Sequence, residues 1–161
     1  MKQKRGHIVN VASMAGHSGT NKLVDYCSSK FASVGLDEAF RAEMFVQGHS
    51  DYIKTTVVCP YYISTGMFAG VQVIWWQKQT KTKSVFFYFQ SKIIPILDPE
   101  FVADSVVGAI LTNKEVLLLP WWSFILMVLK AILPEPGFMR LSQAFGLNCS
   151  MDQFEGRCKD E

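Results

Sequence analysis

Apolar and polar positions alternate over residues 6–12 (Gly-His-Ile-Val-Asn-Val-Ala), and enough of them are apolar to predict a buried parallel strand. Ser, Gly and Ala dominate residues 13–20, a loop leaving the carboxyl end of that strand. From 25 to 47 the period lengthens to that of a helix. Tyr26, Lys30 and Val34 fall on one face, Phe31, Leu36 and Phe40 mostly on another, and Gly48 is placed to cap the end. Residues 53–59 (Ile-Lys-Thr-Thr-Val-Val-Cys) form a second, β-branched strand stopped by Pro60. Asp98 as N-cap and Pro99 at the first position open another helix, expected to run to about Asn113, and residues 115–119 read as a third strand. Strands alternating with helices predict an α/β chain with a parallel sheet and helical crossovers. Such sheets bind ligands beyond the carboxyl ends of their strands, where the loops after residue 12 and after Pro60 lie.

Two stretches depart from this alternation. Residues 116–133 are the most apolar part of the chain, but Pro120 splits them and the first part serves better as the last strand. The remainder, 121–133, is too short to span a bilayer; with Trp121 and Trp122 at one end and Lys130 near the other, it suits a helix lying in a membrane interface or one buried in a core. Residues 73–90 (Val-Ile-Trp-Trp-Gln-Lys-Gln-Thr-Lys-Thr-Lys-Ser-Val-Phe-Phe-Tyr-Phe-Gln) contain no acid, Gly or Pro. They read as an atypical insert: a retained intron, a substrate lid or membrane-dipping loop, or a neutral insertion.

Composition narrows the class. Of 161 residues, 49% are hydrophobic and 19% charged, which excludes a disordered chain. A net charge of +2 gives no case for nucleic acid. Cys27, Cys59, Cys149 and Cys158 form no CxxC pair and the histidines no cluster at ligand spacing, so reduced thiols and no metal are expected. Met1 is followed by Lys2-Gln3-Lys4-Arg5 without the apolar core of a signal peptide. His17 stands near the mouth of the predicted ligand site and reads as a solvated loop histidine; Cys27 reads as packing rather than as a nucleophile.

The candidate chemistry sits in the strand-end loops. Tyr26 and Lys30, four apart on a helix, share a face one turn apart. An ammonium near a phenol favours phenolate, which can take a proton from an alcohol or return one to a carbonyl oxygen while hydride moves at carbon. Ser13, thirteen residues before Tyr26, is placed to hydrogen-bond the same oxygen.

Residues 6–16 (Gly-His-Ile-Val-Asn-Val-Ala-Ser-Met-Ala-Gly), 25–32 (Asp-Tyr-Cys-Ser-Ser-Lys-Phe-Ala) and 55–60 (Thr-Thr-Val-Val-Cys-Pro) together resemble the short-chain dehydrogenase/reductase family. Thr-Gly-Met-Phe at 65–68, Leu-Leu-Leu-Pro-Trp at 117–121 and the stretch from Cys149 are similar to its retinol/retinal dehydrogenase branch, which also includes relatives acting on steroids and other lipids. The resemblance implies the C-terminal half of a Rossmann-type doubly wound parallel sheet over 1–119, followed by an apolar, membrane-associated helix and tail over 120–161. It implies Ser13, Tyr26 and Lys30 as catalytic residues, and Tyr26, Lys30, Pro60, Ile63 and Thr65 as contacts to NAD or NADP, with NADP(H) the better fit for a reductase. A retinoid-like or steroid-like substrate, a membrane surface on the cytosolic side of the endoplasmic reticulum or a lipid droplet, and a homodimer in the full-length form also follow from it.

Two departures stand out. The family usually has Pro-Gly where this chain has Pro60-Tyr61. No glycine fingerprint opens a helix after a strand, so the pyrophosphate-binding helix end, the residue that separates NAD from NADP and the family's Asn are missing. The chain therefore reads as a fragment without turnover of its own. The alternative is an inactive truncated protein that pairs with a full-length relative through the Tyr26 helix.

Overall fold

The structure, a computed structural model, describes residues 5–65 and 96–144. The expectations placed on the 73–90 insert, on residues 66–68 and on the stretch from Cys149 lie outside the described residues.

Three strands, β1 (Gly6–Val11), β2 (Ile53–Pro60) and β3 (Val116–Leu119), alternate with helices α1 (Val24–Val46) and α2 (Pro99–Leu111). All strands are parallel and lie in the order β1-β2-β3. Gly6 pairs with Ile53 and Val11 with Val58; Val57 pairs with Val116 and Pro60 with Leu119. Alternation along β2 sends neighbours to opposite faces. Val58 joins Leu97, Val102, Ala109, Leu117 and Leu119 under α2, whereas Val57 and Cys59 join Ala12 and Met14, with Val34 of α1 packed on them. Helices thus cover both faces, as a doubly wound sheet requires.

The element ends follow local chemistry. Asp98 caps α2 as expected, its carboxylate accepting from the amides of Glu100 and Phe101 at 3.1 Å each. That helix stops at Leu111, two residues before the expected end. Asn113 turns left-handed (φ 52°), and the Lys114 amide reaches back to the Ala109 carbonyl at 2.8 Å. Gly48, with φ +69°, takes the left-handed position after α1 that a residue with a Cβ adopts at a cost.

Two expectations need correction. β1 is not a buried strand: Ile8 is 47% and Val11 60% exposed, because among the described residues β1 pairs on one side alone, with β2. β2, paired on both sides and covered on both faces, holds the buried positions instead. The predicted loop after residue 12 contains a 3-10 turn, Met14–Gly16, whose N-cap is Ser13.

After β3 a 3-10 turn (Trp121–Ser123) leads into α3 (Phe124–Ile132) and α4 (Glu135–Ala144). Among the described residues no helix is long and apolar enough to cross a membrane. α4 falls in the stretch expected to be tail, and Pro134 and Pro136 stand at its start. Both prolines fall where a helix tolerates them, before its start and in its first turn.

Candidate functional site

The carboxyl ends of β1 and β2, the first turns of α1, and helices α3 and α4 enclose a cavity of about 270 Å³. All six residues singled out in the sequence line it: Ser13, Tyr26, Lys30, Pro60, Ile63 and Thr65. They come from separate segments, and parallel pairing of β1 with β2 brings the ends of those segments together.

Ser13 follows β1 in extended backbone (φ −170°, ψ 161°), its Oγ accepting from the Ala15 amide at 3.1 Å. Its own proton reaches only weakly toward the Pro60 carbonyl, at 3.4 Å, so it is readily redirected to an oxygen arriving in the cavity. Tyr26 stands in the first turn of α1, half-buried. One turn on, Lys30 holds its ammonium 5.6 Å from the Tyr26 ring centroid while donating to the Val11 carbonyl at 3.1 Å. An ammonium has three N–H donors, so two remain for a ligand. Among the described residues no carboxylate lines the cavity, and Lys30 and Lys130 give it a positive character that suits negative charge developing on oxygen.

Residues not singled out in the sequence complete the site. A Cβ on Gly16 would lie 2.6 Å from the Lys30 carbonyl oxygen and 2.8 Å from Val34 Cγ2, so only glycine lets the Ser13 turn seat against the helix carrying Tyr26 and Lys30. Asn10 donates to the Ser33 carbonyl at 2.6 Å and fixes β1 to the same helix. Leu126 and Met127 of α3 and Phe138 of α4 form an apolar wall. His17 is not a solvated loop histidine. It is half-buried in the cavity wall, its ring 3.5 Å from the Cys59 thiol, and Lys130 donates to its carbonyl at 2.9 Å. Burial, and then the Lys130 charge, hold the His17 imidazole below its ordinary value, with Glu38 opposing. Burial and the charge of Asp37 push the Cys59 thiol up to about 11, so it stays protonated at neutral pH. Burial likewise raises the Tyr61 phenol, making Tyr61 a wall rather than an acid. Cys27 is buried against Leu23 and accepts from the Thr20 amide at 3.4 Å, a packing role as the sequence suggested.

The donor set fits the nicotinamide and ribose end of a dinucleotide. The Ile63–Leu97 bridge uses the Ser64 amide (3.0 Å to the Leu97 carbonyl) and the Tyr62 carbonyl (2.8 Å from the Leu97 amide), so the Ile63 amide is not spent there. Lys30 retains donors suited to a ribose. Among the described residues no glycine-rich turn opens a helix, so these residues provide no cradle for the pyrophosphate.

Comparison with known proteins bears on the same residues. The family model for short chain dehydrogenases matches residues 1–73. Human epidermal retinol dehydrogenase 2 is 39% identical over 149 residues, 92% of this chain and 43% of that protein. Short-chain dehydrogenase/reductase family 16C member 6 from Bos taurus is 35% identical, over 99% of this chain and 45% of that protein. Human 17-beta-hydroxysteroid dehydrogenase 13 is 36% identical over 84% and 39%. A short chain dehydrogenase/reductase from Burkholderia phymatum, solved in complex with NAD, superposes with a TM-score of 0.56 at 21% identity, over 80% of this chain and 48% of that one; at that identity it shows the fold alone. The chain spans less than half the length of these relatives. The chain is thus similar to the short-chain dehydrogenase/reductase family, through its model over residues 1–73 and through part of the length of retinol dehydrogenase-like members.

Proposed function

We propose that this chain carries the proton-transfer half of an oxidoreductase site that interconverts a lipophilic alcohol with its aldehyde or ketone. The observation supporting it is that Ser13, Tyr26, Lys30 and the 60–65 segment line a single, largely apolar cavity. NAD or NADP, held at Lys30, Ile63 and Thr65, supplies hydride exchange at the substrate carbon when bound, and NADP(H) suits the reductive direction.

The chain's own residues handle the oxygen. Ser13 Oγ turns its proton from the Pro60 carbonyl to the substrate oxygen and holds it in place. The Tyr26 phenol delivers a proton to that oxygen in reduction and removes it in oxidation. Lys30, fixed by the Val11 carbonyl, keeps positive charge beside the ring on which negative charge develops. Leu126, Met127 and Phe138 exclude water, which strengthens each of these interactions. Trp121, Phe124, Ile125, Val128 and Ile132 leave an exposed apolar flank on the turn and helix that wall the cavity, supporting a seat on a membrane surface, cytosol-facing on the endoplasmic reticulum or a lipid droplet. The full-length protein is a homodimer in this reading.

A second reading, an inactive partner for a longer relative, draws on the exposed Val24, Leu36, Phe45 and Val46 of α1 and on the side of β1 that has no strand partner among the described residues. The test is nicotinamide-dependent turnover of all-trans-retinol or retinal by a chain that also carries a phosphate-binding segment. Turnover supports the oxidoreductase. Saturable nicotinamide binding without turnover of any lipid alcohol or aldehyde overturns the substrate class, and absence of nicotinamide binding favours the inactive partner.

A further inference from the structure

The cavity at Ser13 and Tyr26 does not end at α4. A second hollow of about 810 Å³ adjoins it, and Ser18, Gly19, Thr20, Lys130, Phe138 and Ser142 line both. The first hollow alone lies at the small end of ligand sites, so a longer ligand reaches this shared wall.

Ser142 is the unusual member of that wall. It is 5% exposed, yet among the described residues its hydroxyl has no hydrogen-bond partner. Other helical serines of the chain turn back on their own helix: Ser28 donates to the Val24 carbonyl at 2.7 Å, Ser33 to Ser29 at 3.0 Å and Ser105 to Phe101 at 2.7 Å. The Ser142 oxygen is not enclosed as that of Ser123 is; it borders the hollow, where a hydroxyl without a protein partner is open to an arriving oxygen. The fully enclosed Ser123 hydroxyl is also unpaired but lines neither hollow, whereas Ser142 lines both. Lys130 on the same wall donates once, to the His17 carbonyl, and stands 5.1 Å from the Phe31 ring centroid; its two remaining donors face the hollow that Ser142 also lines.

We propose that Ser142 determines specificity by donating to a second oxygen of the substrate, so that the site selects lipid alcohols or aldehydes bearing a further hydroxyl or carbonyl remote from the reacting carbon. This rests on the reading of the cavity as an alcohol site. Phe138, one turn before Ser142 on α4, supplies the apolar surface against which the intervening carbon chain lies.

The experiment is calorimetric titration of the full chain with n-alcohols from hexanol to dodecanol and with α,ω-alkanediols of matching length. An apolar wall alone favours the n-alcohol, because a diol must give up the hydration of its second hydroxyl. At the best-fitting length the diol is expected to bind about tenfold more tightly. Ser142→Ala, a good helix former, should abolish that preference and leave n-alcohol affinity within about twofold; Ser142→Thr, which keeps the hydroxyl, should retain it. Diol preference that survives Ser142→Ala, or n-alcohol binding with no diol preference at any length, overturns the role of Ser142 alone. Binding of neither class to the wild-type chain overturns the alcohol-site reading as well.

Discussion

At Gly16 the turn carrying Ser13 meets the helix carrying Tyr26 and Lys30, and there is no room between them for a methyl group. Gly16→Ala must therefore separate the two, since one obstacle is the Lys30 backbone carbonyl and cannot rotate aside. Overpacking of this kind costs about 1–3 kcal/mol. A shift of about 1 Å between Ser13 and Tyr26 is expected to lower kcat about a hundredfold in a catalytically competent chain. Thermal unfolding and turnover measured together check this, and wild-type values for both would contradict it. Ser13, Tyr26 and Lys30 were legible in the sequence because their chemistry requires those residue types at those spacings. Gly16 was not, because a loop glycine needed for close approach looks like one that merely relieves a turn. Ser142 was equally silent: a single serine in an amphipathic helix gives no sign that its hydroxyl lacks a partner.

Elements with strong local signals were read nearly to the residue, as with α2 between its Asp98 cap and the Asn113 turn. What the sequence did not show is how α3 docks. Lys130 of α3 donates to the His17 carbonyl in the Ser13 loop, so an apolar helix read for a membrane or a core also walls the cavity. That contact makes docking sensitive to acid. Burial and the Lys130 charge lower the His17 pKa in the folded chain below its ordinary 6.5. The unfolded chain then binds more protons as pH falls, so this contribution to stability is present above 6.5 and is lost as pH drops through the folded value. Tm is expected to fall on acidification through that window, and His17→Gln should flatten the fall. An unchanged slope in His17→Gln would assign the acid sensitivity to other groups.

For the molecule as a whole, the parallel order β1-β2-β3 with helices on both faces followed from alternating strand and helix periods, whereas the exposure of β1 did not. Periodicity reports which residues could be buried, and Ile8 and Val11 are apolar enough. Burial also needs a neighbour, and among the described residues β1 has β2 alone. The six candidate residues nevertheless meet in one cavity, because the strand ends that carry their loops are set by the β1–β2 register. The central claim is that Tyr26 moves the proton at that cavity. Its most direct test is Tyr26→Phe in a chain carrying both this half and a phosphate-binding segment, with turnover of a lipid alcohol and NADPH affinity measured on the same preparation. Loss of the phenolic proton alone predicts kcat lower by about a hundredfold or more, as expected for removing a general acid–base, with cofactor affinity nearly unchanged. A Tyr26→Phe protein that keeps close to wild-type kcat would contradict the account.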